Sequence, residues 1–462
     1  MKIIIKPLIF ALIIIVLVGA IIVVNSFSTN HDFYVGVTYC GDNVEDAKML
    51  IDKVNDYTNL FVLQSGSLQN NASQIEEIGD YAVASGLKYM VYQGIGCLAL
   101  ANNWLSTYDG HWGSNFLGVY AIDEPGGKML DGDTMLYHEA SDSWIQKKAD
   151  GSISGYKLDS TTAVRYMRNG TIHVEKWGGT IPYNYVVYYP NGTIVGASLD
   201  FEQSGIRTTL TVITDTSLLN YTYQELWAAH PIKTADVAKE LYLNWTSREI
   251  NDARRDQNGT LNVITADYGL HWYDYQSGYD VVLTNFGWNQ SITQSIAVVR
   301  GAANIFNKDW GAIITWKYTQ APYLASGDEI YGQMCAAYEN GAKYVVIFNY
   351  AESMHSQCGI LQNEHFIALQ HFWDDIQNQN IKHGAVKADT AFMLPNSYGS
   401  GLRRQGDVIW GLWEATDDDD QILRRMQDAL AKYGEKLDIV YEDSANPTTS
   451  KYSQIIYWNQ TT

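Results

Sequence analysis

The chain predicts an α/β fold: a (β/α)8 barrel of the TIM type with a β-rich insertion after its fourth strand, a small C-terminal α/β domain and an N-terminal transmembrane helix. Three observations lead there. Short apolar runs alternate with helical stretches along most of the 462 residues, the pattern of strand–helix units in a parallel sheet. Eight such runs occur, the number that closes this barrel. A run of apolar residues at Leu8–Val24 follows Lys2 and Lys6.

That run approaches the roughly 20 residues a bilayer-spanning helix needs. Val24-Asn25-Ser26-Phe27-Ser28 offers no small-residue cleavage site, which favours an uncleaved anchor over a signal peptide. The two lysines place the short end inside and the rest of the chain outside. Eight Asn-x-Ser/Thr sequons, from Asn71 to Asn459, fit an exported surface open to glycosylation.

The eight candidate strands are Phe33–Tyr39, Leu60–Gln64, Tyr89–Gln93, Phe116–Asp123, Asn262–Asp267, Asp280–Asn285, Ala312–Trp316 and Tyr344–Asn349. Each is apolar on both sides of the alternation, as strands covered on both faces are. Helical periodicity fills Val44–Asn55, Ser73–Ser85, Thr234–Ala253, Ile292–Phe306, Asp328–Asn340 and Glu364–Asn378, with glycine stops at Gly86 and Gly341. These segments assign 29–129 and 223–386 to the barrel.

Between them, in 130–222, Asp150-Gly151, Asn169-Gly170 and Asn191-Gly192 punctuate short alternating segments such as Thr171–Glu175, Tyr185–Tyr189 and Thr208–Ile213, the mark of hairpins. Residues 387–462 hold two buried strands, Asp389–Leu394 and Leu437–Tyr441, a helix at Asp418–Tyr433 and a third strand at Gln454–Trp458. The acid run Asp417–Asp420 suits that helix's N-terminus better than calcium, because a calcium loop's spaced ligands and central glycine are missing.

Composition excludes several functions. A formal charge of −20, from 51 acids against 31 Lys and Arg, disfavours nucleic acid as a partner. Cys40, Cys97, Cys335 and Cys358 have no CxxC spacing and the ten histidines no HxH or HExxH spacing, so neither a metal nor another cofactor is expected. Outside a cell the cysteines suit disulfides, and Cys40 with Cys358 is the favoured pairing because the first and eighth strands meet on closure. The only membrane contact expected is the N-terminal helix; the oligomeric state is unspecified.

The chemistry concentrates at strand ends. Ile122-Asp123-Glu124-Pro125-Gly126-Gly127 closes the fourth apolar run with two carboxylates, and C-terminal strand tips line a barrel's active-site mouth. The plain alternative is a turn capped by Asp123. Cleavage of a glycosidic bond needs two carboxyl groups; the partners available to Glu124 are Asp123, Asp267 after the fifth strand and Glu352 after the eighth, with Asp274 close by. Each of these would serve equally as a cap or a neighbour's hydrogen-bond partner. Tyr39, Gln64, Tyr92, Gln93, His271 and Trp272 fall at other tips, as do Trp288, Trp316, Lys317 and Tyr318. Aromatic faces with amides and acids suit a polyhydroxylated ligand, although many aromatics serve as wall packing.

The barrel and its Asp-Glu-Pro tip resemble the superfamily of TIM-barrel glycoside hydrolases, whose fourth strand commonly ends Asn-Glu-Pro with the glutamate as acid/base. Glu124 and Pro125 match; Asp123 stands where that superfamily has an Asn that touches the sugar's 2-hydroxyl. The resemblance implies a nucleophile ending the seventh strand, where this chain reads Thr315-Trp316-Lys317-Tyr318 and offers no carboxylate. The insertion and C-terminal domain are similar to accessory domains of some extracellular glycosidases, including the β-galactosidase type with an amidotransferase-like domain. Three functions follow: a surface-anchored glycoside hydrolase using Glu124, a sugar-binding or cell-envelope structural barrel that has lost its nucleophile, and a metal-dependent hydrolase.

Overall fold

The computed structural model describes residues 33–94, 111–127, 134–138, 143–148, 150, 152–156, 162–176, 183, 185–202, 205–230, 235–254, 261–350, 358–404, 407, 416–443, 445 and 451–460. The apolar run Leu8–Val24 and Cys97 lie outside them. Among the described residues no helix is long and apolar enough to cross a membrane.

Chain order begins with β1 (Tyr34–Tyr39), α1 (Val44–Val54), β2 (Leu60–Leu63), α2 (Ala72–Ala84), β3 (Lys88–Gln93) and β4 (Phe116–Asp123). The second half of the barrel is α3 (Tyr223–Ala228), α4 (Ala235–Arg254), β13 (Val263–Asp267), α5 (His271–Ser277), β14 (Val281–Phe286), α6 (Ile292–Phe306), β15 (Asp309–Ile314), α7 (Gly327–Glu339), β16 (Tyr344–Ile347) and α8 (Asn363–Gln377). The barrel is closed, in the order β1-β16-β15-β14-β13-β4-β3-β2, and its neighbouring strands run parallel, with Gly36 of β1 opposite Leu60 of β2. Burial explains the strands: β2, β13, β14 and β16 are buried at every position, so continuous apolar runs face the barrel interior on one side and helices on the other. Side-chain caps start several of the helices. Asn43 Oδ1 accepts from the Glu45 amide at 2.8 Å for α1, and Thr222 and Glu225 form a capping box on α3.

The tip of β4 is irregular. Its register against β13 shifts, so that Ala266 opposes Asp123 rather than Ile122. Ile122 and Glu124 both have positive φ, 60° and 55°. A β-branched residue in that region is a steric outlier, and such strain concentrates where function over-determines the backbone.

The hairpins of the insertion join into one continuous antiparallel sheet. Strands β5 to β12, from Thr134–His138 to Gly205–Val212, pair antiparallel with their sequence neighbours in an eight-stranded meander. Its turns follow the Asn-Gly signals: Gly170 and Gly192 take φ of 82° and 87°, while Asn169 and Asn191 accept from the amides two residues on.

The C-terminal sheet, β17 (Thr390–Leu394), β18 (Leu437–Tyr441) and β19 (Gln454–Tyr457), is parallel, with α9 (Asp419–Tyr433) between its first two strands. Arg300 of α6 joins it to the barrel through the fully buried Asp438, Nε to Oδ1 at 2.7 Å, and through the carbonyls of Glu435 and Leu437. The expected acid cap takes another form. Asp418 makes no side-chain cap; the buried Asp419 in the first turn instead accepts the hydroxyls of Ser400 and Thr416, each at 2.5 Å.

The expected Cys40–Cys358 disulfide is not formed. The thiol of Cys40 lies beside the Thr38 hydroxyl, whereas Cys358 lies well past the end of β16, near Lys53 of α1. Strand adjacency did not carry over to residues beyond the strand ends.

Candidate active site at the barrel mouth

A cleft of about 430 Å³ opens at the C-terminal ends of the barrel strands, with Asp123 and Glu124 in its wall. Successive residues of a regular strand face opposite sides. The positive φ values at Ile122 and Glu124 break that alternation, so both acids reach the same cleft; bulges at barrel rims re-aim side chains in this way. Asn285, the penultimate residue of β14, donates from Nδ2 to Glu124 Oε1 at 2.8 Å. The Tyr120 hydroxyl donates to Asp123 Oδ1. Among the described residues these are the cleft's two carboxylates.

Around them stand Tyr268, Trp288, Trp316 and Phe348. Trp288 is 42% exposed, a large apolar face left open at the rim. Gln64, Asn285 and Gln290 also line the cleft, and the amide oxygen of each is buried without a hydrogen-bond partner in the protein. Buried polar atoms are nearly always satisfied. Three orphaned acceptors in one cleft therefore mark a surface fitted to hydroxyl or amide donors.

Asp267 has a different fate from its neighbour on β4. It is fully buried and accepts the amides of Gly126, Tyr268 and Gly269, tying the turn after Glu124 to the turn after β13. Burial raises its pKa to about 6 against those three amides, which lower it. Gly126 is required for that approach, since a Cβ there would meet Asp267 Oδ2 at 2.5 Å. Asp274 is also fully buried and accepts the Tyr242 hydroxyl on Oδ1. Burial first, then the charge of Asp267, raises it well above the usual carboxylate range. Its Oδ2 has no donor, and a proton retained there turns two opposed acceptors into a donor and an acceptor.

Of the other residues expected at the mouth, Gln64, Trp288 and Trp316 line the cleft. The structure places the rest elsewhere. Tyr39 is buried and donates to the Asn43 carbonyl; Tyr92 packs edge-on against Tyr120; Gln93 donates to the Gln69 carbonyl. Trp272 is packed against Phe306 and Tyr441 in the interior. His271 is fully buried against the Asp267 carbonyl, its pKa lowered by burial to about 4, so it is neutral. Lys317, the residue in the place of the resemblance's nucleophile, pairs with Glu329 of α7, and Tyr318 is an exposed ring beneath its ammonium. Glu352 lies outside the described residues.

The sequence reading omitted Asn285, Gln290, Tyr268 and two arginines, Arg403 and Arg404, that reach the cleft from the loop after β17. Strand-end position was a usable signal for Asn285. Nothing local in the sequence pointed to the arginines.

Together these features define a parallel eight-stranded barrel with an acidic, aromatic, amide-lined cleft at its C-terminal face. No family model matches the chain, and no curated protein does. Among solved structures, a GH5_18 variant from Streptomyces cattleya in complex with Manb1-4GlcNAc aligns with 92% of this chain and 98% of its own, at 10% identity and a TM-score of 0.47. D-Psicose 3-epimerase from Clostridium cellulolyticum with D-tagatose aligns with 76% of this chain and 99% of its own, at 10% identity and a TM-score of 0.32. Likenesses this distant carry no functional argument.

Proposed function

We propose that the cleft binds a poly- or oligosaccharide and that Glu124 acts on a glycosidic bond as general acid/base. The observation that carries this reading is a single cleft lined by Glu124, three orphaned amide acceptors and the open ring of Trp288. Sugars offer hydroxyl donors around their edge and apolar C–H faces above and below, and a cleft with both features is fitted to them. Glu124 would protonate the leaving oxygen, with Asn285 fixing its carboxyl group; Asp123, or Glu352 beyond the described residues, would be the second carboxylate the reaction needs. The Leu8–Val24 run and the sequons support an extracellular setting at a membrane.

A second reading has its own support. The described cleft carboxylates are sequence neighbours on one strand, Asp123 is engaged by Tyr120, and the seventh-strand tip carries no acid. These features favour a sugar-binding barrel without turnover. Incubating purified protein with a broad glycan panel separates the two. Release of reducing ends by wild type, abolished in a folded Glu124→Gln variant, supports hydrolysis. Saturable binding with no release supports the lectin-like reading, and absence of both sinks the saccharide assignment.

A further inference from the structure

The meander of the insertion ends on an open strand. β12 (Gly205–Val212) is the outermost of the eight and pairs with β11 (Ile194–Glu202) along its whole length without a bulge. The ladder fixes which of its backbone groups face outward. The Ile213 amide donates to the Ile194 carbonyl at 2.8 Å, and along an antiparallel strand the residues bonded to one neighbour alternate with those turned away from it. Thr209 and Thr211 therefore bond inward to β11, while Thr208, Leu210 and Val212 turn their N–H and C=O groups outward. The far side of β11 agrees: the Tyr189 amide donates to the Thr193 carbonyl at 2.9 Å, so the odd-numbered residues from Thr193 on serve β10 (Tyr185–Tyr188) and the even-numbered ones serve β12. Among the described residues none bonds to the outward groups of β12.

Folded proteins shield such edges with a proline, a lysine, a bulge or a covering loop. Thr208-Thr209-Leu210-Thr211-Val212 carries none of these. All five residues are exposed, Leu210 at 70% and Val212 at 62%. Charge and symmetry select what can cover them. Two copies of a chain with a net charge of −20 repel over most of their surface, but Thr208–Thr214 contains no charged residue, so copies meet there without opposing like charges. A two-fold axis at Leu210 sets that residue opposite its own copy and Thr208 opposite the partner's Val212. Each of these residues has outward groups, so the pairs exchange about six main-chain hydrogen bonds. Their side chains share one face of the sheet, where aliphatic and β-branched cross-strand pairs add to the contact.

We propose that β12 is a homodimerisation edge, through which two copies join antiparallel along Thr208–Val212 into one sheet continuous across both meanders. An isologous contact of this kind consumes the edge and closes at two copies. It is independent of what the cleft binds. Light scattering on the full chain, held in detergent for its Leu8–Val24 run, should show a monomer–dimer equilibrium that moves toward dimer with concentration. Leu210→Lys opposes like charges at the axis and should raise the dissociation constant about tenfold or more; Leu210→Ile should keep the dimer. Leu210→Cys should cross-link on mild oxidation beyond the wild-type background, since directly opposed residues lie within disulfide reach. Val212→Cys, roughly 13 Å from its own copy in this register, should not. Wild type that stays monomeric at every concentration overturns the proposal, as does a dimer unmoved by Leu210→Lys. So do cross-linking by Val212→Cys in preference to Leu210→Cys, and species that grow past the dimer through the meander's other end, β5. Leu210 is exposed, so its variants fold, and thermal unfolding alongside the measurements verifies this.

Discussion

The tips of β4 and β13 are neighbours in the barrel, and both end in acids, yet the fold puts one into a cleft and the other into a scaffold. Glu124 sits on positive-φ backbone in the wall of the cleft, where its Oε1 accepts from the side-chain amide of Asn285 at 2.8 Å. Asp267 sits on regular strand and accepts three main-chain amides with no exposure. A carboxylate that satisfies backbone donors on several sides has its reach consumed. One held by a side chain at the rim keeps a face toward whatever enters. Strand-end position selects both; backbone geometry and burial decide between chemistry and architecture.

The contrast breaks most sharply if both acids are neutralised in turn. Glu124→Gln should lower turnover of any hydrolysed glycan by about 10²–10⁴-fold, the scale of a lost general acid/base, with an unchanged thermal midpoint. Asp267→Ala should do the reverse, costing about 3 kcal/mol or more of stability because it orphans buried amides, measured by chemical denaturation. Turnover that survives the first change, or stability that survives the second, would exchange the roles assigned to the two tips.

Proton linkage sharpens the same comparison. Asp267 has a folded-state pKa raised to about 6, against about 3.9 in an unfolded chain. Between those values the folded protein holds more protons than the unfolded one, so this group's contribution is fully present below about pH 4 and is lost as pH rises through about 6. The loss is on the order of 2–3 kcal/mol. The stability of wild type should therefore fall relative to that of Asp267→Asn as pH rises from 4 to 6.5, since only wild type carries the penalty, a change read from paired denaturation curves. Parallel curves would mean that Asp267 ionises in the fold as readily as in water.

The barrel was legible because its strands are buried on both faces, which writes them as unbroken apolar runs; all eight appear within a few residues of the expected bounds. The helix α5 was not. His271-Trp272-Tyr273-Asp274-Tyr275 is buried nearly throughout, so it lacks the polar face that gives a helix its period. The same loss of contrast placed Trp272 and His271 among the ligand candidates when they are wall. At the site, sequence showed which acids end strands. It could not show the positive φ at Ile122 that re-aims Asp123 and Glu124, nor the packing of α6 on the loop after β17 that delivers arginines from the far end of the chain.

Gly126 links the two tips, and altering it tests whether scaffold and cleft are coupled. A Cβ at this position would stand 2.5 Å from Asp267 Oδ2 and 2.6 Å from Leu270 Cβ, so Gly126→Ala should cost about 1–3 kcal/mol as an overpacked site. The displaced turn carries Glu124 two residues earlier, so ligand affinity should fall as well. If stability drops while affinity and turnover hold, the Asp267 knot supports the barrel without positioning Glu124.

The smallest effect belongs to the rim. Trp288 is 42% exposed and lines the cleft, so its truncation leaves no interior cavity and should barely move the thermal midpoint. If its face stacks on a sugar ring, Trp288→Ala should weaken binding by about 1.5 kcal/mol, roughly tenfold, read by titration calorimetry with whichever glycan binds wild type best. Trp272→Ala provides the internal contrast: that ring is interior, packed on Phe306 and Tyr441, and its loss should cost about 3–5 kcal/mol of stability. Should Trp288→Ala leave affinity unchanged, the open ring at the rim is not a stacking platform, and recognition falls to the amides of Gln64, Asn285 and Gln290.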